Sequence, residues 1–324
     1  MHFSLRGINP LLVIKKYWTT LKRAGVSFID DRAMKYSASL SYYTIFSLAP
    51  MLVVIISLCG IFLGRDAIEG KIYAQLGGLV GKDAALQIQE IIKNVSANGD
   101  ANIWATVIGV ITLVVGATGV FTEIQDSINS IWGLKAKPKR GWVKLIVNRL
   151  LSFSMVVSMG FLLLVTLTVN AVMDIIIDRL TRFFPYVAVY LIYGVNLLII
   201  WIVTTLLFAI IFKVLPDGKV MWRDTLKGAS FTAVLFMIGK FAIGAYLGNS
   251  NVASTYGAAG SIVIVLLWVY YSSIILYFGA EFTKEYAFLY GTRIEPTSYA
   301  VHVERKEVER ETYTRPDPLT TKPL

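Results

Sequence analysis

Uncharged apolar stretches and short charged segments alternate along this chain. Four stretches of 22–30 residues carry no charge, and a fifth, at 228–280, carries only Lys240 and is divided by polar turn residues at 248–257. About 20 apolar residues suffice to cross a bilayer as a helix. The pattern therefore predicts six spans, with a short hairpin between the last two. The predicted spans are 36–64, 101–122, 150–173, 183–212, 228–247 and 258–281.

The composition agrees with a membrane protein. Of the 324 residues, 56% are apolar and 16% are charged, whereas about 25% are charged in an average soluble domain. Inside a bilayer the backbone must satisfy its own hydrogen bonds, and the stretches lack the alternation of barrel strands. The sequence predicts an all-α integral membrane protein with six transmembrane helices in a domain covering 36–283.

The distribution of Lys and Arg predicts the orientation. With the amino terminus inside, 24 of the 31 Lys and Arg residues fall on the cytoplasmic side and six on the outer side. Positive residues favour the cytoplasmic side. We therefore expect a multi-pass membrane protein with both termini cytoplasmic. Topology accounts for the net charge of +10, so no nucleic-acid partner is expected.

Three segments lie outside the predicted spans. The segment 1–35 contains an amphipathic pattern at 10–30, typical of a helix that lies on anionic lipid. The outer loop 65–100 shows helical spacing in two pieces, which predicts short helices over the outer face. The tail 284–324 is charged, and from 301 it is poor in apolar residues, so it is predicted to be cytoplasmic and disordered.

Three motifs together resemble the YihY/BrkB family of bacterial inner-membrane proteins. They are ASLSYYTIFSLAP at 38–50, SINSIWG at 127–133, and YGAAGSIVIVLLWVYY at 256–271 followed by GAEFT at 279–283. The resemblance extends over roughly 15–290. The motif residues that carry it include Asn129, Trp132, Tyr256, Gly257, Gly260, Trp268, Tyr270 and Gly279.

This resemblance implies six spans with cytoplasmic termini, in agreement with the pattern above. It also implies a link to envelope integrity, serum resistance and virulence in one branch, and transport, including lipid transport, in others. The family once carried a ribonuclease BN label. The sequence argues against that label, because it has no histidine-rich metal site and no acidic pair in a soluble domain.

Lys240 is the most costly residue in the predicted spans, near the middle of 228–247. A lysine at a helix centre costs about 2.5–3.5 kcal/mol on insertion scales. One interpretation is a binding point for an anionic group of a substrate. The alternatives are a snorkelling lysine, or a lysine held by Asn170 or Asp174 at the outer end of span three.

Span one is polar in its first half and contains Pro50, which is expected to kink the helix. A kinked polar helix is a common feature of a substrate path. The alternative is helix packing through small residues whose hydroxyls bond to the preceding turn. The candidate residues are Ser37, Ser41, Tyr42 and Thr44.

Three carboxylates are expected at the inner boundary: Glu123 and Asp126 after span two, and Glu281 at the end of span six. They are candidates for function. The alternative for Glu281 is an interfacial carboxylate paired with Lys284 or with a base from a loop, and Glu123 and Asp126 have the same alternative.

Other chemistry finds little support. The single Cys59 forbids an internal disulfide, and the two histidines lie near the ends of the chain. No metal site or cofactor is predicted. The spans contain no paired aspartates, HExxH motif or serine–lysine pattern, so we expect no enzyme. Two functions remain: a transporter or flippase of a lipid or other anionic amphiphile, with membrane lipids as partners, or a non-transporting scaffold for envelope proteins. The oligomeric state stays open.

Overall fold

The computed structural model describes residues 10–46, 119–137, 185–249 and 260–304. These residues are mostly helical. α1 is Pro10–Asp30, α2 covers 33–46 and α3 covers 119–131. The long helices are α4, Pro185–Val214, α5, Trp222–Asn249, and α6, Gly260–Tyr290. Four short strands follow helix ends: β1, Leu134–Ala136, β2, Gly218–Lys219, β3, Glu295–Pro296, and β4, Ala300–His302.

Three of the described helices are long and apolar enough to cross a membrane. The apolar windows are Leu197–Val214, Trp222–Ile243 and Ile262–Tyr290. They correspond to the predicted spans 183–212, 228–247 and 258–281. α2 begins at 33, close to the predicted start of span one at 36. α3 covers the last residues of predicted span two and continues to 131, nine residues beyond the predicted end of that span. The rest of those spans, span 150–173 and the loop 65–100 lie outside the described residues.

The helices α5 and α6 are longer than the uncharged stretches that predicted them. α5 begins six residues before Gly228, because Asp224 and Thr225 close its first turn through backbone bonds to Met221. α6 continues nine residues beyond Glu281 to Tyr290. The charged residues there do not end the helix, because Glu281 and Lys284 pair with each other inside the structure.

α5 and α6 approach each other closely through two matching glycine–threonine pairs. A Cβ at Gly228 would lie 2.8 Å from Cβ of Thr283, and one at Gly279 would lie 2.8 Å from Cβ of Thr232. Each threonine hydroxyl donates to the glycine carbonyl one turn earlier in its own helix, at 2.7 Å in both cases. The two helices thus interlock, with small residues allowing the close approach that membrane helices favour.

The strands form two small antiparallel sheets that the apolar pattern did not predict. β1 pairs with β4, with Lys135 opposite Val301, and β2 pairs with β3, with Lys219 opposite Glu295. Gly133 has a positive φ of 65° and turns the chain from α3 into β1. The end of the bundle where these strands lie is called the strand end below.

The prediction of a disordered tail from 284 is wrong for residues 284–304. Residues 284–290 belong to α6, and β3 and β4 lie within 295–302. Charge alone placed the start of the tail too early. β3 and β4 are ordered because their backbone pairs with β2 and β1, in the segments after α4 and α3, and a local charge pattern does not show such pairing.

The α5–α6 interlock predicts a specific loss of stability. Gly279→Ala should lower the melting temperature of the detergent-solubilised protein, because the new methyl overlaps Thr232; overpacking of this kind costs about 1–3 kcal/mol. Adding Thr232→Gly should recover part of the loss. Gly25→Ala is the control, since a Cβ at Gly25 would meet nothing within 4 Å. Equal melting of Gly279→Ala and Gly25→Ala would contradict the interlock.

Candidate functional site

A buried carboxylate, Asp217, holds the loop after α4 against α3. Its Oδ1 accepts a hydrogen bond from Nε2 of Gln125 at 3.2 Å, and its Oδ2 accepts one from Nδ2 of Asn129 at 3.0 Å. Its backbone N–H donates to Oδ1 of Asn129 at 2.8 Å. Gln125 and Asn129 are four residues apart on α3 and therefore share a face. The Asp217 carbonyl accepts from Thr297, which ties β3 to the same loop.

The ammonium group of Lys284 contacts three acceptors from different parts of the chain. Its Nζ lies 2.8 Å from Oδ2 of Asp31, after α1, and 2.9 Å from the carbonyl oxygen of Ile131, at the end of α3. It also lies 2.7 Å from Oε2 of Glu281, one turn earlier on α6. An ammonium has three donors, so this one side chain can hold the α1–α2 corner, α3 and α6 together.

Glu281 is completely buried. It shares the single ammonium of Lys284 with Asp31, so two carboxylates face one cation. Its contact with Lys284 is an ion pair, and within the described residues neither carboxylate oxygen makes a well-aligned hydrogen bond. Next to it, the indole N–H of Trp132 donates to the Ala280 carbonyl at 3.1 Å. We call these contacts around Asp217 and Lys284 the strand-end junction.

The strand-end junction positions helices and loops rather than offering free chemistry. Its amides, carbonyls and charges contact one another, and Asp217 is buried. Within the part of the chain that the structure describes, no group of three His, Cys, Asp or Glu residues is placed to hold a metal.

A groove lies between α4 and α5 on the membrane-spanning part of the bundle. Its volume is about 540 Å³, and none of the described side chains in its wall carries a charge. Its wall is formed by Gly194, Leu197, Leu198, Trp201, Val234, Met237, Ile238 and Phe241. Leu198, Ile238 and Phe241 are exposed, so the groove opens sideways. Such a surface suits an acyl chain or another apolar tail.

Lys240 is exposed on α5 rather than enclosed in the bundle. It lies 18 residues after Trp222 and nine before Asn249, so it is displaced from the middle of the helix toward the end away from the strands. Its suggested partners Asn170 and Asp174 lie outside the described residues, as do Pro50, Tyr256 and Gly257.

The predicted polar face of span one is engaged with its own helix. The hydroxyl of Ser37 donates to Ala33 O at 3.0 Å, that of Ser41 to Ala38 O at 2.8 Å, and that of Thr44 to Leu40 O at 2.7 Å. Ser37 and Ser41 are buried, whereas Tyr42 is exposed. This is the geometry of the packing alternative, and a substrate path along this face stays a prediction.

The three carboxylates expected at the inner boundary have three different surroundings. Glu123 is half-buried. Asp126 is exposed and, with Asn129 and Lys135, lines a cavity of about 360 Å³ beside β1. Glu281 is paired with Lys284, as one alternative expected, but it is buried instead of interfacial.

The structure brings three motif residues to the strand end and leaves others in the spans. Asn129 and Trp132 belong to the strand-end junction, and Gly279 to the α5–α6 interlock. Gly260 begins α6. Trp268 and Tyr270 are half-buried along it, and the indole N–H of Trp268 has no hydrogen-bond partner among the described residues.

Sequence reasoning missed Asp31, Gln125 and Asp217. A local signal existed for Asp217, because Pro216-Asp217-Gly218 is a turn sequence between two apolar helices. No local signal pairs Asp217 with Asn129, which is 88 residues away along the chain.

Comparison with known proteins relates the chain to a family of membrane proteins. A family model described as Virulence factor BrkB matches residues 25–299, which include the whole strand-end junction. The UPF0761 membrane protein of Saccharophagus degradans is 27% identical over 267 residues, covering 80% of this chain and 58% of that protein. UPF0761 membrane proteins of Stenotrophomonas maltophilia and Xanthomonas oryzae pv. oryzae are 27% and 26% identical over 266 residues, covering 80% of this chain and 59% of each protein.

The chain thus spans about three fifths of the length of the curated relatives it matches. No solved structure matches it.

The strand-end junction predicts that Lys284 matters more for stability than an exposed lysine. Lys284→Met should leave Glu281 and Asp31 without their cation, and breaking a buried pair costs about 3–5 kcal/mol. We expect the lower part of that range, since the Lys284 and Asp31 side chains are 22% and 26% exposed. The readout is thermal unfolding in detergent.

Two further variants test this interpretation. Lys240→Met, which removes an exposed lysine from a neighbouring helix, should unfold like the wild type. Adding Glu281→Gln to Lys284→Met should recover stability, because the buried charge is removed with its partner. If Lys284→Met unfolds at the same temperature as Lys240→Met, the ion pairs do not hold the strand end.

Proposed function

We propose that this chain, which belongs to the BrkB family of membrane proteins, is a transporter or flippase that moves a lipid or other anionic amphiphile across the bacterial inner membrane. Its relatives are named membrane proteins, and three described helices are suited to cross a bilayer. A link to envelope integrity or serum resistance would follow from such an activity.

The observation that carries this proposal is the sideways-open groove between α4 and α5. A carrier of lipids must shelter an acyl chain while the head group moves, and it must admit that chain from the bilayer. The groove is apolar, and the exposed Ile238 and Phe241 lie at its edge. A polar solute would gain little from this wall, so the groove favours an amphiphile over a small hydrophilic substrate.

Lys240 supplies a positive charge beside the groove. It follows Met237 by one helical turn and directly precedes Phe241, and both of these residues form the wall. A long lysine side chain can extend toward the membrane surface from this part of α5. An anionic head group held there would leave its apolar tail next to the groove.

The scaffold alternative draws on the opposite end of the protein. There the loops are joined by two sheets and by the strand-end junction, which gives a defined surface for docking a partner. A scaffold would not require the groove, so the groove separates the two functions.

The proposed orientation places the strand end in the cytoplasm. In a Cys59→Ala background, a cysteine at Gly99 should react with a membrane-impermeant thiol reagent on intact cells, because the loop 65–100 is predicted to be outside. A cysteine at Ser298, an exposed residue between β3 and β4, should react only after the cells are opened. Labelling of Ser298→Cys in intact cells would reverse the orientation.

Transport is tested in proteoliposomes with a fluorescent phosphatidylglycerol whose exposure to an external quencher reports leaflet exchange. Gly194→Leu should slow exchange by about tenfold, equivalent to ~1.4 kcal/mol on the barrier, because its side chain enters the groove. A Cβ at Gly194 would meet nothing within 4 Å, so the variant should fold. Gly25→Leu is the matched control on α1.

Lys240 variants test the head-group contact in the same assay. Lys240→Arg should retain exchange and Lys240→Met should reduce it, with less effect on a zwitterionic lipid. A wild-type protein that moves neither lipid faster than empty liposomes would contradict transport and favour the scaffold. Equal rates for Gly194→Leu and Gly25→Leu would show that the groove is not the path.

A further inference from the structure

We propose that α1 binds the surface of an anionic phospholipid leaflet through an exposed face next to the strand end. This inference does not depend on transport. It follows from how the side chains of one helix divide between the bundle and the outside.

One sector of α1 packs on the bundle. Thr20, Ala24 and Phe28 are buried and recur every four residues along one face. The rings of Phe28 and Phe278 lie 5.7 Å apart, and the ring of Tyr17 lies 6.0 Å from that of Phe282. Contact with α6 therefore explains why the side chains of this sector are buried.

A second sector is apolar and remains exposed. Ile14, Trp18 and Ile29 lie within about 60° of one another around the helix at 100° per residue, and they are 65%, 57% and 73% exposed. Leu21, one turn after Trp18, is half-buried instead. On a helix that faces only water, a row of exposed apolar side chains of this kind would be unfavourable.

The third sector is basic and borders the apolar one. Lys15, Lys16, Lys22 and Arg23 are all exposed, with Asp30 as the acidic residue at its end. Nζ of Lys22 lies 5.4 Å from the centre of the Trp18 ring. Apolar residues flanked by Lys and Arg, with a tryptophan at the border, are typical of a helix that lies in the head-group region. The positive charge selects an anionic lipid as the occupant.

α1 contacts the part of α6 that is expected at the level of the lipid head groups. α6 has 31 residues and is therefore about 46 Å long, longer than the roughly 30 Å of a hydrocarbon core. The charged residues Glu281, Lys284 and Glu285 lie near the strand end of α6, so the part of α6 that exceeds the hydrocarbon core is expected there. The α6 partners of α1 lie in this part, from Phe278 to Tyr290.

The test uses the full chain in a Cys59→Ala background, reconstituted in nanodiscs. An environment-sensitive fluorophore is attached at Ile29→Cys or, as a matched control one residue away at the end of the basic sector, at Asp30→Cys. Lipids with a quencher near the head group should quench the label at 29 several-fold more than the label at 30. The difference should be larger with phosphatidylglycerol than with phosphatidylcholine alone.

The charge is tested by adding Lys15→Gln and Lys22→Gln to the Ile29→Cys protein. Quenching in phosphatidylglycerol nanodiscs should fall toward the phosphatidylcholine value, and high salt should reduce it in the parent protein. Equal quenching at 29 and 30 would overturn the proposal. So would a label at 29 that is shielded from water yet not quenched, since another protein segment would then cover this face. The readout needs no lipid movement, so its failure is distinct from failure of transport.

Discussion

The strand end of the protein depends on one ammonium group in a poorly hydrated place. Lys284 contacts Asp31, which is 253 residues earlier in the chain, the end of α3 at Ile131, and the buried Glu281. Glu281 is completely buried, and an isolated buried carboxylate costs far more than a paired one, so this position depends on the nearby Lys284 ammonium. The helix ends are therefore arranged around a charge that none of them could bury alone.

The short segment 279–284 concentrates these contacts. Gly279 and Thr283 interlock with α5, the Ala280 carbonyl accepts from Trp132, and the Phe282 ring stacks at 3.9 Å on Phe231. Glu281 and Lys284 close the set. Each successive residue of a helix points about 100° further round, so a single turn and a half of α6 can touch α1, α3 and α5. This geometry gives the GAEFT motif a packing reason.

The two ends of the described bundle differ in how their polar groups are arranged. At the strand end, carboxylates, amides and backbone groups bond to one another and to two small sheets. Further along α4 and α5, the surface is apolar and open at the groove. A hydrogen-bonded end beside an open apolar groove is consistent with the proposed movement of an amphiphile. The basic face of α1 would then lie at the proposed level of the head groups.

The sequence by itself determined that this is a membrane protein. It also located the three described spans and the helix at 10–30. Hydropathy and charge sum along neighbouring residues, so they need no knowledge of distant partners. The end of α6 was less predictable, because the charges of Glu281 and Lys284 indicate the end of a span unless their pairing with each other is known.

Only the tertiary structure decided which polar residues meet. Asp217 and Asn129 are 88 residues apart, and the strands pair loops that follow different helices. Lys240 is exposed because of how α5 is rotated against α4 and α6, which its local sequence does not specify. The hydroxyls of Ser37 and Ser41 bond within their own helix, an option that the sequence left open beside a substrate path. Such choices depend on helix packing, where contact between distant segments outweighs local preference.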